Sequence, residues 1–268
     1  MARSKDMASD TAEIDRPAPV EETPPKAPSL IWASGRGNNG KSTGLRFLAE
    51  EALLGNRPVI IADCDRTNQT LTAFFGDVTE RPDHPDDHSV HERLNQIINQ
   101  MVADSTSAIL DMGGGDLVFP AYAASIDLVD MLMGANVRPA ALHFLSPAVD
   151  DLSTLQDVEE AGAFCPPATA LILNAGLIRD TRSIDVAFRQ VREHPVYKAA
   201  LARGAVEIIM PRLSCMQDLD RQRMMFYAAE SGRVSEGQTA LGFTQAHMVK
   251  IWRRQMRTAF SPIQDWLP

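Results

Sequence analysis

The sequence is poor in cysteine and has no long apolar run. Its three cysteines, an odd number, lie far apart at Cys64, Cys165 and Cys215, and none has a metal-ligand spacing. We therefore expect free thiols in a reducing cytoplasm rather than a disulfide framework. No apolar stretch reaches the length of a membrane span, and the N-terminus lacks the apolar core of a secretory signal. These features favour a cytoplasmic protein.

Positive charge is also in deficit. The chain has 26 Lys and Arg against 35 Asp and Glu, which gives a formal net charge of −9. This overall charge does not favour binding to nucleic acid, and any contact with DNA would need a local basic patch.

The length and composition suit one large domain behind a polar tail. A chain of 268 residues with 44% hydrophobic residues is able to bury a substantial core. Residues 1–28 are instead polar and contain five prolines, so they bury too little apolar surface to offset the entropy of ordering. We predict a disordered tail over residues 1–28 and a single domain over residues 29–268.

A phosphate-binding loop is the clearest motif in the chain. The pattern G-x-x-x-x-G-K-[ST] follows an apolar run and opens a helix-like segment, which is the context such a loop requires. Its glycines let backbone N–H groups point at phosphate oxygens, and the helix N-terminus adds partial positive charge. Lys41 would reach the β- and γ-phosphates, and the Ser42 hydroxyl would bind Mg²⁺. The predicted nucleotide-binding residues here are Gly35, Arg36, Gly37, Asn38, Asn39, Gly40, Lys41, Ser42 and Thr43.

From the loop onward, predicted strands and helices alternate. Strand-like segments lie at 30–34, 58–63, 107–111, 140–145, 168–175 and 206–210. Helix-like segments lie near 41–54, 89–103, 119–133, 149–163, 184–203, 215–231 and 243–259. Strands this continuously apolar are buried on both faces, so the alternation predicts an α/β three-layer sandwich with a mainly parallel sheet. A polar segment, 77–88, is predicted as a surface loop.

Carboxylates follow two of the predicted strands. Asp63 and Asp65 end the second strand, and Asp111 ends the third after four apolar residues. Because ligands of open α/β sheets bind at the carboxyl ends of the strands, these side chains should lie beside the phosphate loop. Asp111 would there hold a water bound to Mg²⁺. An ordinary capping role at a strand-to-turn junction remains the alternative for Asp63 and Asp65.

These motifs together resemble the deviant Walker A ATPases of the ParA/MinD family over roughly residues 29–232. Aligned on residues 40–43, Arg36 falls where the family loop, K-G-G-x-G-K-[ST], has its signature lysine, and Asn38 replaces a glycine. The segment 63–65 matches the family's D-x-D, whereas residues 66–69 depart from the usual P-Q. The glycines at 113–115 resemble its switch II turn, usually D-x-P-x-G.

The resemblance implies roles for the catalytic groups. Arg36 would cross a dimer interface to the partner's ATP, since an arginine keeps the charge of the signature lysine. Asp63 would help to hold Mg²⁺ through water. Asp65 would orient or deprotonate the attacking water, which must lie in line with the γ-phosphate. Lys41, Asp65 and Arg36 are thus the predicted catalytic residues, and Ser42, Asp63 and Asp111 the predicted metal site.

The resemblance also implies where the base would bind. Asn174 stands where the family commonly has an asparagine that reads adenine, and an amide offers both a donor and an acceptor. Pro211 and Arg212 follow a strand that resembles the one before the family's base-covering loop. Simple turn-forming roles remain open for all three residues.

The last predicted helix is amphipathic and basic. Val249, Trp252, Met256 and either Ala259 or Phe260 share one face, and the remaining surface carries Lys250, Arg253, Arg254 and Arg257. Such a helix could lie on an anionic membrane or follow DNA phosphates. Because its apolar stripe is of the kind that buries in a core, packing on the sheet is the favoured interpretation.

Three functions remain open at this point. The resemblance implies an ATPase with slow hydrolysis stimulated by a protein partner, acting as an ATP-dependent homodimer in plasmid or chromosome partition or cell positioning. The segment 63–68 and the long C-terminal half also resemble the TraL-like proteins of conjugative plasmids. The alternatives are a small-molecule enzyme, such as a dethiobiotin-synthetase-like ligase or a kinase, and a nucleotide-binding scaffold with negligible turnover.

Overall fold

A seven-stranded parallel sheet runs through the part of the chain that the computed structural model describes, residues 26–235 and 237–268. Its strands are β1 (Ser29–Ser34), β2 (Val59–Asp63), β3 (Thr79–Glu80), β4 (Ser107–Asp111), β5 (Arg138–Leu145), β6 (Ala168–Asn174) and β7 (Val206–Met210). They lie in the order β3-β2-β4-β1-β5-β6-β7, and every neighbouring pair is parallel. The strand that leads into the phosphate loop, β1, is therefore central, between β4 and β5.

Helices cover both faces of the sheet. They are α1 (Lys41–Leu54), α2 (Thr70–Phe75), α3 (Asp87–Asp104), α4 (Val118–Ser125), α5 (Leu128–Gly134), α6 (Ser153–Ala161), α7 (Ile184–Ala187), α8 (Arg189–Glu193), α9 (Pro195–Ala202), α10 (Met216–Gln222), α11 (Phe226–Ser231) and α12 (Phe243–Phe260). One face packs against α1, α2, α10, α11 and α12 through strand residues such as Ile31 and Ala33. The other packs against α3 to α9 through the intervening residues, such as Leu30 and Trp32. The predicted α/β sandwich is confirmed.

Three of the predicted helices are divided in the structure. The segment 119–133 breaks at Asp127, and 215–231 breaks at Arg223; both residues have a positive φ, which a right-handed helix cannot contain. The segment 184–203 forms α7, α8 and α9, and its last break comes before Pro195, which has no N–H to donate to a preceding turn. A fourth segment, 149–163, begins as a 3₁₀ turn.

The expectation of a surface loop over 77–88 was wrong in part. The segment 77–88 contains β3, which pairs with Ile61 and Ala62 of β2, and the first residues of α3. A two-residue strand is too short to show a pattern of alternating polarity. The predicted tail lies outside the described residues up to position 25. In its last three residues, Nζ of Lys26 donates to the Gln264 carbonyl at 2.8 Å, and the Pro28 carbonyl accepts from the Arg138 N–H at 2.8 Å. The cysteines are free thiols, as predicted.

Candidate functional site

The loop between β1 and α1 has a backbone that favours glycine at its ends. Gly35 and Gly40 have φ values of +136° and +94°, which residues with a side chain rarely adopt. A Cβ on Gly40 would also lie 2.4 Å from Nδ2 of Asn174. The loop delivers Lys41 and the first turn of α1, with its unpaired backbone N–H groups, to the carboxyl end of the sheet.

A cavity of about 630 Å³ opens over this loop. Its walls include these predicted loop residues: Gly37, Asn38, Gly40, Lys41, Ser42 and Thr43. Asn39 lies behind it, buried, and its Nδ2 donates to the Phe144 carbonyl at 3.2 Å. Gly35 lies against the same carbonyl, where a Cβ would come within 2.5 Å of the oxygen. Asn39 and Gly35 therefore support the loop through contacts with β5 and do not line the cavity.

Lys41 places a cation at the floor of the cavity. The residue is only 6% exposed, and its Nζ donates to the Arg36 carbonyl at 3.4 Å. Burial lowers the pKa of Lys41, while the nearby carboxylates of Asp111 and Asp65 raise it. The ammonium thus lies between the loop backbone and two carboxylates, where it is able to neutralise a phosphate chain.

Asp63 and Asp111 stand side by side at the ends of β2 and β4, where they are paired in register. Asp63 accepts hydrogen bonds on Oδ2 from the Thr72 N–H at 2.8 Å and the Thr72 hydroxyl at 2.9 Å, but its buried Oδ1 has no partner. Neither oxygen of Asp111, which is fully buried, has a partner of good geometry, although the Ser42 hydroxyl is near enough to lower its pKa. Burial dominates and raises the pKa of Asp111 to about 7.

These orphaned carboxylate oxygens fit a magnesium site. Buried carboxylates without hydrogen bonds are costly unless a cation or water satisfies them, and the Ser42 hydroxyl lies beside them. Across residues 26–235 and 237–268, no group of three or more His, Cys, Asp or Glu side chains is arranged to hold a metal by itself. This is the arrangement that Mg²⁺ uses when substrate phosphates and water supply most of its ligands.

Asp65 lines the cavity just beyond β2 and also holds the following turn. Its Oδ1 accepts from the Thr67 N–H at 2.8 Å, the Thr67 hydroxyl at 2.8 Å and the Asn68 N–H at 2.9 Å. The capping role weighed from the sequence is therefore present. It occupies one carboxylate oxygen and leaves Oδ2 for a water or a substrate.

The glycine turn after β4 touches the phosphate loop. A Cβ on Gly114 would lie 2.6 Å from the backbone N of Gly37, so only glycine allows this approach. Asp116 ends the turn by accepting from the Phe119 N–H at 3.0 Å, and Arg66 links to it at 3.8 Å. Because the two backbones are in contact, a movement of the phosphate loop at Gly37 would also displace the turn at 113–115.

The far wall of the cavity is formed where β6 and β7 end. Asn174 and Pro211 line it, as predicted, whereas Arg212 is exposed beside it and is not one of its lining residues. The Asn174 amide donates to the Asn39 carbonyl at 3.0 Å and accepts from the Gly176 N–H at 2.9 Å. One amide N–H and one oxygen lone pair remain for a base, so base reading by Asn174 stays a prediction.

Sequence reasoning missed several residues that line the cavity on α10 and just after Asp65. Met216, Gln217 and Asp220 of α10 line the same wall, and Asn68 and Thr70 line the side next to Asp65. The signal was available in the topology, because a segment that follows a parallel strand emerges at the edge where ligands bind.

Arg36 does not line the cavity. Its guanidinium lies 3.4 Å from the Asp151 carboxylate, and its side chain is 53% exposed. Asp151 in turn accepts a hydrogen bond from the Ser146 hydroxyl. In the isolated chain, Arg36 is therefore a surface cation at the rim of the phosphate loop.

The apolar face of the C-terminal helix, α12, is buried in the core. Val249, Trp252, Met256 and Phe260 are buried against the sheet layer, as the favoured interpretation expected. Arg253 is buried as well, in ion pairs with Glu51 and Glu230, and Arg257 pairs with Glu51. Lys250 and Arg254 alone remain exposed from the predicted basic set without an ion pair among the described residues. Along the part of the chain that the structure describes, no helix combines the length and apolarity needed to cross a bilayer.

Comparison with known proteins shows that this chain resembles solved structures in its fold. A scan against models of protein families found no match, and a search of curated protein sequences also found none. Among solved structures, an ATP complex of a McdA variant from Cyanothece matches with a TM-score of 0.51 and 12% identity, over 88% of this chain and 98% of that one.

Two further structures match less well. MinD from Aquifex aeolicus gives a TM-score of 0.48 and 12% identity, over 86% of this chain and 97% of that one. Chloroplast FtsY from Physcomitrella patens gives a TM-score of 0.45 and 15% identity, and the match spans 68% of this chain and 58% of FtsY. The McdA match shows that this chain shares its fold with a protein whose structure was solved as an ATP complex.

Proposed function

We propose that this chain is a nucleotide-dependent molecular switch of the ParA/MinD kind, which binds ATP with Mg²⁺ and hydrolyses it slowly. The observation that carries the proposal is the meeting of Lys41 and Ser42 with the partnerless oxygens of Asp63 and Asp111 beside one cavity. A triphosphate and a divalent cation together would satisfy all of these groups.

Each residue would make a distinct contribution to hydrolysis. Lys41 would neutralise the β- and γ-phosphates, and the free Oδ2 of Asp65 would orient the attacking water or accept its proton. Mg²⁺ held by Ser42 directly, and by Asp111 and Asp63 through water, would neutralise charge that develops on the phosphates.

The finer parts of the proposal concern partners. Arg36, exposed at the rim of the loop, would reach the nucleotide of a second copy and so make dimerisation depend on ATP. A protein partner would stimulate hydrolysis. Lys250 and Arg254 would offer a small basic surface to DNA or to a membrane. Plasmid or chromosome partition, cell positioning and conjugation, as in the TraL-like proteins, are the cellular roles that such a switch would serve in the cytoplasm.

A titration of wild type and Lys41→Ala with Mg²⁺ and a non-hydrolysable ATP analogue tests the core of this proposal, with turnover measured in parallel. We expect affinity or turnover to fall at least about tenfold in Lys41→Ala, about 1.4 kcal/mol, because the cation at the phosphates is lost. Lys250→Ala, which removes an exposed lysine away from the cavity, is the matched control. Repeating the titration with GTP identifies the preferred base. Unchanged binding together with unchanged turnover in Lys41→Ala would refute the assignment of the phosphate loop.

A second cavity of about 520 Å³ favours one alternative, a small-molecule enzyme. It shares Asp65 and Gly114 with the first cavity and is also lined by Arg66, His91 and Asp116. An acceptor bound there would lie next to the γ-phosphate end of the nucleotide site. ATP turnover measured with and without DNA, and against a set of small metabolites, separates this enzyme from the switch. Negligible turnover under every condition would instead favour the nucleotide-binding scaffold.

A further inference from the structure

Arg46 is buried at a point where four helices meet. It lies on α1, five residues after Lys41, and is only 1% exposed. Its guanidinium carbon is 3.9 Å from the ring centroid of Phe74 on α2 and 3.9 Å from that of Phe226 on α11. Its Nη1 donates to Oδ1 of Asp220 on α10 at 2.9 Å. One side chain therefore ties the phosphate-loop helix to α2, α10 and α11.

The surroundings of Arg46 keep it charged and in place. Burial lowers its pKa, whereas Asp220 and Glu50 raise it. The guanidinium packs against both aromatic rings, and the Asp220 carboxylate is its one ion-pair partner among the described residues. A buried cation packed against two rings has little freedom, so its hydrogen bond to Oδ1 restrains the Asp220 carboxylate.

The residues fixed by Arg46 belong to the far wall of the nucleotide cavity. Asp220 lines that wall together with Met216, whose sulfur lies 3.6 Å from Nη2 of Arg46, and Gln217. Asp220 is half exposed and lines the cavity, and its Oδ2 has no hydrogen bond among the described residues, so this oxygen is available to a ligand. Since Lys41 and Ser42 define the phosphate end of the cavity, this wall faces the nucleoside end. A carboxylate and an amide side chain are suited to the N–H donors and ring acceptors on the edge of a purine.

We propose that Arg46 is a positioning residue for base recognition, which holds α10 so that Asp220 and Gln217 contact the edge of a purine base. This inference rests on the proposed nucleotide site and specifies how that site would recognise its ligand. Arg46 would contribute to affinity for the nucleoside and leave affinity for the phosphate chain unaltered.

The test compares two ligands that share only the phosphates. Isothermal titration with Mg²⁺ measures binding of ATP or GTP, whichever wild type prefers, and of inorganic tripolyphosphate. Arg46→Met keeps a long side chain between the two rings but removes the charge and the bond to Asp220. We expect it to bind the nucleotide at least about tenfold more weakly and tripolyphosphate within about twofold of wild type.

Asp220→Asn, Arg46→Lys and the double variant complete the design. Asp220→Asn alters a half-exposed carboxylate and should weaken nucleotide binding in the same selective way. Because both residues act through one contact, the double variant should lose little more than either single variant. Arg46→Lys keeps the charge without the stacked fork and should restore binding only in part. Arg253→Met, which removes another buried arginine on the same side of the sheet, is the control and should change neither affinity.

The outcomes separate this inference from the proposed function. An Arg46→Met protein that binds nucleotide like wild type, or loses nucleotide and tripolyphosphate equally, overturns the positioning role while the phosphate site stands. If Arg46→Met does not fold, Asp220→Asn decides by the same criterion. A wild-type protein that binds neither ligand overturns both proposals.

Discussion

Two polar side chains at the site, Asp65 and Asn174, use part of their hydrogen-bonding capacity to hold nearby backbone and leave the rest without such a bond. Asp65 uses Oδ1 to accept three hydrogen bonds from Thr67 and Asn68, and Asn174 uses one N–H and one lone pair to tie the phosphate loop to the end of β6. Each retains a second polar atom for a ligand. The structural role is therefore present in both side chains, and it leaves a donor or an acceptor free for the predicted functional role.

Replacing Asp65 by Asn separates those two roles. Asparagine retains an oxygen that accepts from the Thr67 and Asn68 N–H groups but cannot take a proton from water. We expect Asp65→Asn to bind the ATP analogue within about twofold of wild type and to hydrolyse ATP at least about tenfold more slowly. Phosphate release and calorimetric titration measure the two effects. The role assigned to Asp65 is wrong if Asp65→Asn hydrolyses ATP at the wild-type rate.

At the scale of elements, α1 joins the phosphate loop to the layer of α10, α11 and α12 through buried charges. Glu50 accepts from the backbone N–H groups of Phe226 at 2.9 Å and Tyr227 at 3.1 Å, and so caps α11, which has no side-chain cap of its own. Burial raises the pKa of Glu50 from 4.5 to about 7, against the lowering effect of these bonds and of Arg46 and Arg253. The helix after the nucleotide cavity is therefore anchored by a group that titrates near neutrality.

Glu50 should give the fold a pH dependence. The folded protein retains the proton up to about pH 7, while the unfolded chain releases it near 4.5, so stability falls as pH rises between these values. The difference between these pKa values sets an upper limit of roughly 3–4 kcal/mol on the change in unfolding free energy. Glu50→Gln lacks this titration, so its unfolding free energy relative to wild type should increase from pH 4.5 to pH 7.5 in urea denaturation.

Glu51→Gln is the control for that experiment. Burial raises the pKa of Glu51, but its bonds with Arg257 and Arg253 outweigh burial and lower it overall. Glu51 therefore titrates below pH 4.5 in the folded protein and near 4.5 in the unfolded chain, so the difference between wild type and Glu51→Gln should stay level from about pH 5.5 to pH 7.5. A level difference for Glu50→Gln as well would show that Glu50 is ionised in the folded protein throughout this range.

At the scale of the whole molecule, the open question is whether two copies share a nucleotide. The Arg36 side chain is half exposed, whereas its partner Asp151 is only 12% exposed and also accepts from the Ser146 hydroxyl. Because Ser146 would still donate to Asp151, Arg36 could exchange this carboxylate for the phosphates of a second copy, a contact that becomes stronger in a dry interface.

We expect wild type to dimerise with a non-hydrolysable ATP analogue and to remain monomeric with ADP. Arg36→Ala should stay monomeric in both cases, and Arg36→Lys should dimerise if charge alone suffices. Arg182→Ala, which removes another exposed arginine with a nearby carboxylate partner, is the matched control. Light scattering measures the mass. A wild-type protein that remains monomeric with the analogue counts against the switch and favours the enzyme or the scaffold.

The sequence by itself determined the phosphate loop, the strands and the position of the carboxylates. Glycines at positions of positive φ, continuous apolar strands and aspartates at strand ends are signals carried by a few adjacent residues. Once the strands are parallel, Asp63 and Asp111 must emerge at the same edge as Lys41, because parallel strands end together. This is why the strand boundaries predicted from the sequence agree with the structure to within two residues for all six predicted strands.

Only the tertiary structure decided which charges are free and which are buried. Arg46 meets Asp220 across 174 residues of chain, and Arg253 meets Glu51 across 202. No local pattern marks these arginines as different from Arg254, which stays exposed on the same helix as Arg253. The spacing of apolar residues along a helix determines which face of that helix packs against the core. The partner of a buried charge depends instead on which other elements are packed next to that face.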